Sequence, residues 1–183
     1  MAASITVDYD VPATMRDGTV LRANVFRPAG EGRWPVLLTR LPYGKDQPLG
    51  SSTVDPIQAV RRGYVVVVQD TRGRWRSDGE WFPIRHEAED GFDTVEWAAA
   101  LPYASGEVGT FGASYHGFTQ WSAAVLQPPA LKAMAPFITW AEPLNARIPT
   151  MPHILTGAPF AQTLRPAVIP PADARPRTRS ALP

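Results

Sequence analysis

Val108-Gly109-Thr110-Phe111-Gly112-Ala113-Ser114-Tyr115-His116-Gly117 is the stretch on which the fold turns. It begins as a short strand, Val108 to Phe111, and passes through a glycine-rich turn. It then enters a helix predicted over Tyr115 to Leu126, apolar nearly all round and therefore expected to be buried. Ser114 stands at the turn. A strand-turn-helix junction lifts a serine hydroxyl out of a sheet, and small flanking residues let strand and helix approach closely. The helix N-terminus also aims its amides at the place where an oxyanion would form. Gly112 lies two residues before the serine, as a nucleophile elbow requires, but the second glycine is displaced by one. His116 stands where G-x-S-x-G has glycine, so the motif is G-x-S-Y-x-G. A lone Gly-x-Ser is more often a turn with a helix-capping serine, so the reading needs its surroundings.

Outward from this turn the pattern is regular. Val20 to Phe26 alternates as a strand does, and Pro35 to Arg40 is a short apolar run. Tyr64 to Gln69 is β-branched and apolar at consecutive positions, which suits a strand covered on both faces of a parallel sheet. From His86 to Ala100, Ala88, Phe92, Val95 and Ala99 recur at helical spacing. Glu87, Glu89, Asp90, Asp93 and Glu96 crowd the first three turns, where a helix N-terminus favours negative charge. Leu131 to Ile138 reads as one more strand. Strands alternating with helices predict an α/β domain, a largely parallel sheet flanked by helices.

Composition narrows the function classes. The 183 residues are 44% hydrophobic and 19% charged, an ordinary globular balance. A net charge of +1 offers no electrostatic case for nucleic acid, and no apolar run approaches the roughly 20 residues that cross a bilayer. The first residues are too polar for a signal peptide, so a cytoplasmic, unexported chain is expected. Cysteine is absent, which excludes disulfides and thiolate zinc sites. Proline is the outlier: 20 in the chain, about twice the usual share. Eight of these fall between Pro149 and Pro183, together with Arg165, Arg175, Arg177 and Arg179. The division expected is therefore an α/β portion over 1–145 and a Pro/Arg-rich irregular or disordered tail over 146–183.

Several ordered motifs carry a family resemblance over about the first 140 positions. They are Met15-Arg16-Asp17-Gly18 with Leu21 and Arg27-Pro28, then Arg40-Leu41-Pro42-Tyr43. Gly63-Tyr64 leads into Gln69-Asp70-Thr71-Arg72-Gly73, followed by Ser77, Gly79 and Glu80. Glu89, Asp93, Thr94 and Glu96-Trp97 come next, then Gly106, the elbow itself, Gln120 and Leu131-Lys132-Ala133. The chain resembles the cocaine esterase and X-prolyl dipeptidyl-peptidase type of serine hydrolase, an α/β-hydrolase group. The resemblance implies a partial α/β-hydrolase fold, truncated before the group's helical cap and C-terminal jelly-roll domain. It implies Ser114 as nucleophile, the Tyr115 backbone N–H as one oxyanion donor and the Tyr43 hydroxyl as the other. The implied reaction cleaves an ester, an amide or an X-Pro peptide bond through an acyl-enzyme, without cofactor or metal. Expected partners are a small-molecule ester or amide, or a peptide, with neither nucleic acid nor membrane.

The triad is incomplete in sequence. Chain order in these folds is Ser, then Asp or Glu, then His. Only 69 residues follow Ser114, and they hold Glu142 and Asp173 as their acids and, beyond the elbow's own His116, His153 as their histidine. Eleven residues from Glu142 to His153, with Pro143, Pro149 and Pro152 among them, are too few for the two further strands that normally carry acid and base. The resemblance fades after about Ala141. The chain alone is therefore expected to be inactive or nearly so, since triad members act as a unit. The alternative is a non-catalytic hydrolase fragment that needs a complementary chain, with self-association through an uncompleted sheet. The mix of Asp70, Arg72, Arg74, Arg76 and Asp78 reads as a salt-bridged scaffold loop. His86 reads as solvated at the start of the acidic helix, and His116 as directed away from the serine hydroxyl. No H-x-x-x-H or similar spacing supports a metal site. Trp75, Trp81, Trp97, Trp121 and Trp140 read as core or site-wall aromatics.

Overall fold

The centre of the molecule is the run Val65–Val68, whose four side chains are all within 2% of complete burial. In the computed structural model, which describes residues 4–48 and 53–139, this run lies in the middle of a six-stranded sheet. The strands are β1 (Ile5–Thr14), β2 (Val20–Pro28), β3 (Trp34–Leu41), β4 (Val65–Asp70), β5 (Ala104–Ala113) and β6 (Leu131–Phe137). The helices are α1 (Pro56–Arg61), α2 (Glu87–Ala99) and α3 (Tyr115–Val125). Sheet order is β1-β2-β4-β3-β5-β6. Alternate residues of a strand face opposite sides, so β4 feeds two cores at once. Val65 and Val67 join Val25, Val36, Leu38, Val95 and Ala98 on the side of α2. Val66 and Val68 join Leu41, Ala59, Val60 and Phe111 on the side of α1.

The sheet is mixed. β3 pairs parallel with β4 and β5, and β5 pairs parallel with β6. β2 runs antiparallel to both β1 and β4. The antiparallel end comes from β1, which is absent from the expectations above although Ile5, Val7, Tyr9 and Val11 alternate with polar neighbours. A bulge between Asp8 and Val11, with Asp10 at φ 55°, interrupts that strand. α1 is a second addition. Asp55 caps it by accepting hydrogen bonds from Ile57 N (2.9 Å) and Gln58 N (3.3 Å), with Pro56 opening the helix.

Two expectations are corrected. Helix α3 is buried all round over Tyr115–Gln120, but beyond that only Ala123, packed against Gly91 of α2, is buried. Trp121 is 39% exposed and Val125 77%, so Trp121 is not a core aromatic. Glu87, Glu89 and Asp90 do lie in the first turn of α2, as expected, but they do not form one solvated face. Glu87 and Asp90 point inward, while Asp93 pairs with Arg16 and Glu96 accepts from Ala130 N. The tail from 146, with Trp140, Glu142, His153 and Asp173, lies outside the described residues.

Candidate active site

The turn at Ser114 is strained and clamped. Ser114 has φ 55° and ψ −122°, a conformation that persists only where its surroundings over-determine it. Its N–H donates to the carbonyls of Phe137 (3.1 Å) and Ile138 (3.2 Å) at the end of β6. Its carbonyl accepts from Gly117 N, Phe118 N and the Thr139 hydroxyl (2.7 Å). Both motif glycines have a steric reason. Gly112 sits at φ 133°, and a Cβ there would collide with the His116 side chain. A Cβ on Gly117 would lie 2.6 Å from Thr139 Cβ. The displaced glycine thus makes room for Thr139, while His116 packs over Gly112.

Tyr43 arrives from a different part of the chain. It lies just past β3, and its phenol lies close enough to the Ser114 side chain to interact with it. Burial pushes that phenol above its ordinary pKa, so at neutral pH it keeps its proton. The ring is 6.4 Å from Tyr115, edge-on, and 5.6 Å from the ring of His116. Its loop is fastened from two sides. The Pro42 carbonyl accepts from Trp75 Nε1 (3.0 Å) and Arg74 Nε (3.1 Å). Lys45, its side chain fully buried, donates N–H to Asp70 Oδ1 (2.7 Å) and sets Nζ 2.8 Å from Asp10 and 3.3 Å from Asp70.

Tyr115 opens α3, in the first turn, where backbone N–H groups have no carbonyl four residues back. Its phenol is completely buried, accepts from Ile84 N (3.0 Å) and donates to Glu87 Oε1 (2.9 Å). Glu87 faces Arg40 Nη1 at 3.0 Å. Arg72 bridges Asp90 (2.6 Å) and Asp17 (2.7 Å), the salt-bridged arrangement expected of its loop. Sequence reasoning missed the Glu87–Tyr115 contact, and no local pattern signals it.

The described histidines are occupied elsewhere. His116 is buried, with Nδ1 3.5 Å from Thr39 Oγ1, and burial lowers its pKa to about 4. His86 is the N-cap of α2 and half-buried rather than solvated. Among the described residues no group of three or more His, Cys, Asp or Glu forms a metal site. A cavity of about 10 Å³ beside Arg40, Gly91 and Gln120 has room for one water, far too little for a substrate.

Asp70 brings a pH dependence. Burial raises its carboxyl to about 6 against an ordinary 3.8, with Lys45 pulling the other way. Between those values the folded chain holds a proton that the unfolded chain releases. Its contribution to stability is therefore greatest below about pH 4 and falls as pH rises through 6, by on the order of 3 kcal/mol. Urea midpoints at pH 4, 5 and 6 check this: Asp70→Asn flattens the slope, and a slope equal to the parent's contradicts it.

Comparison with known proteins supplies the family. Residues 17–165 match the X-Pro dipeptidyl-peptidase (S15) family. The chain belongs to this family. The S15 match runs past Ala141, where the resemblance read from the sequence fades. The chain is 42% identical over 139 residues to cocaine esterase from Rhodococcus sp. (strain MB1 Bresler), covering 75% of this chain and 24% of that one. A CocE/NonD family hydrolase from Staphylococcus aureus superposes with TM-score 0.65 at 38% identity, covering 70% and 26%. An aminopeptidase from a marine sediment Thaumarchaeota archaeon superposes with TM-score 0.66 at 25% identity, covering 79% and 27%. The chain spans about a quarter of the length of these relatives. Its sheet and helices are those of a partial α/β-hydrolase fold. No helix of the described residues is long and apolar enough to cross a membrane.

Proposed function

We propose that Ser114 is the nucleophile of an acyl hydrolase that opens an ester, amide or X-Pro peptide bond through an acyl-enzyme. The approach of the Tyr43 phenol to the Ser114 side chain at the strained strand-to-helix turn is the observation that carries this reading. Ser114 Oγ attacks the carbonyl carbon and the developing oxyanion takes hydrogen bonds from the Tyr115 N–H and the Tyr43 hydroxyl. Loss of the leaving group gives the acyl-enzyme, which water then hydrolyses. On this reading residues 1–145 are the portion of the catalytic domain that carries the elbow and both donors. The general base and its orienting acid are supplied from outside the described residues. An elbow with its oxyanion donors but no base retains a small residual reactivity.

Intact-mass analysis with a fluorophosphonate probe tests this. Slow labelling of one site is expected, lost in Ser114→Ala and slowed about 10²–10³-fold in Tyr43→Phe, the usual effect of removing one oxyanion donor. Hydrolysis of p-nitrophenyl acetate by the chain stays near background. No adduct on folded protein, or one that survives Ser114→Ala, overturns the assignment. Rapid turnover dependent on Ser114 would overturn the expectation that the chain alone is nearly inactive.

A second reading rests on the outer edge of β6, which carries no neighbouring strand among the described residues. Phe137 (43% exposed) and Ile138 (83%) lie at its end, and Trp121 and Val125 are exposed on α3. An open edge beside apolar surface favours pairing with another chain. The chain would then be a non-catalytic fragment that self-associates or awaits a complement, and size-exclusion chromatography would show concentration-dependent oligomers.

A further inference from the structure

The side chain of Tyr115 has no part in the chemistry proposed above, which uses only its backbone N–H. It is nevertheless the largest completely buried side chain among the described residues, and its hydroxyl is fully committed. It accepts from the Ile84 backbone and donates to Glu87 Oε1 at the start of α2. Glu87 reaches on to Arg40 Nη1, and the Glu87 carbonyl accepts from the same guanidinium (3.3 Å). Arg40 Nε in turn holds Gln69 on β4 (2.9 Å). Arg40 stands three residues before Tyr43. A single buried chain of polar contacts therefore runs from the residue that presents one oxyanion donor to the strand that delivers the other. Such donors work only when held to a fraction of an ångström, and a misplacement of about 1 Å costs on the order of 10² in rate.

Resting on the reading of Ser114 given above, we propose that Glu87 is a positioning residue for the oxyanion hole. It fixes the Tyr115 amide through the phenol and the Tyr43 loop through the Arg40 guanidinium. A core phenylalanine would fill the Tyr115 site equally well. The hydroxyl, buried at the cost of its hydration, adds direction and not volume. Glu87 touches no reacting atom; it acts through two other residues.

The test is the rate of Ser114 phosphonylation in the full 183-residue chain, resolved into kinact and KI. Tyr115→Phe and Glu87→Leu are expected to lower kinact about tenfold to a hundredfold with KI within about twofold of the parent. Glu87→Gln keeps an acceptor for the phenol and loses less than Glu87→Leu. Asp93→Asn, which breaks only the outer Arg16 pair on the same helix, leaves kinact unchanged. Leu21→Ala, a core truncation on β2, lowers Tm without changing kinact and so separates positioning from general stability. Parent-like kinact in Tyr115→Phe and Glu87→Leu overturns the proposal while leaving the assignment of Ser114 intact. If the parent itself does not react, that assignment fails, and amide hydrogen exchange decides the positioning role. Faster exchange over residues 114–117 in Tyr115→Phe, with β4 unchanged, supports it; equal exchange overturns it.

Discussion

Gly112→Val is expected to destabilise the domain by about 2–6 kcal/mol and to abolish probe labelling at Ser114. Two effects add. The residue sits at φ 133°, a region that only glycine enters readily, and forcing a side-chain residue into it costs about 1–3 kcal/mol. The new Cβ would also collide with the His116 side chain, which is buried and cannot swing into solvent. Overpacking of that kind costs about another 1–3 kcal/mol. The elbow cannot relax by moving as a unit, because Ser114 is held by the carbonyls of Phe137 and Ile138. Gly106 supplies the contrast: it too has a positive φ, 92°, but a Cβ there meets nothing within 4 Å. Urea unfolding followed by circular dichroism should therefore show Gly106→Ala losing only the strain, about 1 kcal/mol. A Gly112→Val midpoint no lower than that of Gly106→Ala would contradict the account.

Arg40→Met should cost about 3–5 kcal/mol at neutral pH. The substitution keeps the aliphatic stem but leaves the Glu87 carboxylate buried, with only the Tyr115 hydroxyl against it. An unpaired buried charge is the expensive outcome, whereas removing both charges is often nearly neutral. The double variant Arg40→Met/Glu87→Leu is accordingly expected to recover at least half of the loss. Asp90 still keeps Arg72 as its partner in both variants. Burial already pushes the Glu87 carboxyl above the ordinary carboxylate range, against the pull of Arg40, and losing Arg40 pushes it further. The Arg40→Met deficit should therefore shrink as pH falls and Glu87 takes up a proton. Thermal unfolding of the parent, single and double variants across pH 5 to 8 measures this directly. A deficit that is independent of pH would sink the assignment of the cost to Glu87.

The same pair shows where sequence reading stopped. The acids of α2 are visible in sequence as a run suited to a helix N-terminus, and Glu89 does remain exposed there. What sends Glu87 and Asp90 inward is the arrival of Arg40 and Arg72, which lie 47 and 18 residues away in sequence. Periodicity identifies a buried face but not the partner that makes a charge tolerable there. Tyr43 is a similar case. The residues place it past a strand end, while its meeting with Ser114, 71 positions later, depends on β3 and β5 lying side by side.

The sequence by itself determined the features governed by short-range rules. Gly112 two residues before Ser114 dictates a turn that only a positive φ can make, and Val65–Val68 dictates a strand covered on both faces. These follow from sterics and hydrophobicity within a few residues. Tertiary structure alone decided the antiparallel entry of β1 and β2, the inward acids, the buried Lys45 among Asp10, Asp46 and Asp70, and the Glu87–Tyr115 contact. Apart from the β1–β2 pairing and the Lys45–Asp46 contact, these join groups far apart along the chain. Their energy comes from exchanging water for a partner, and which partner arrives is settled only when the sheet and its helices close together.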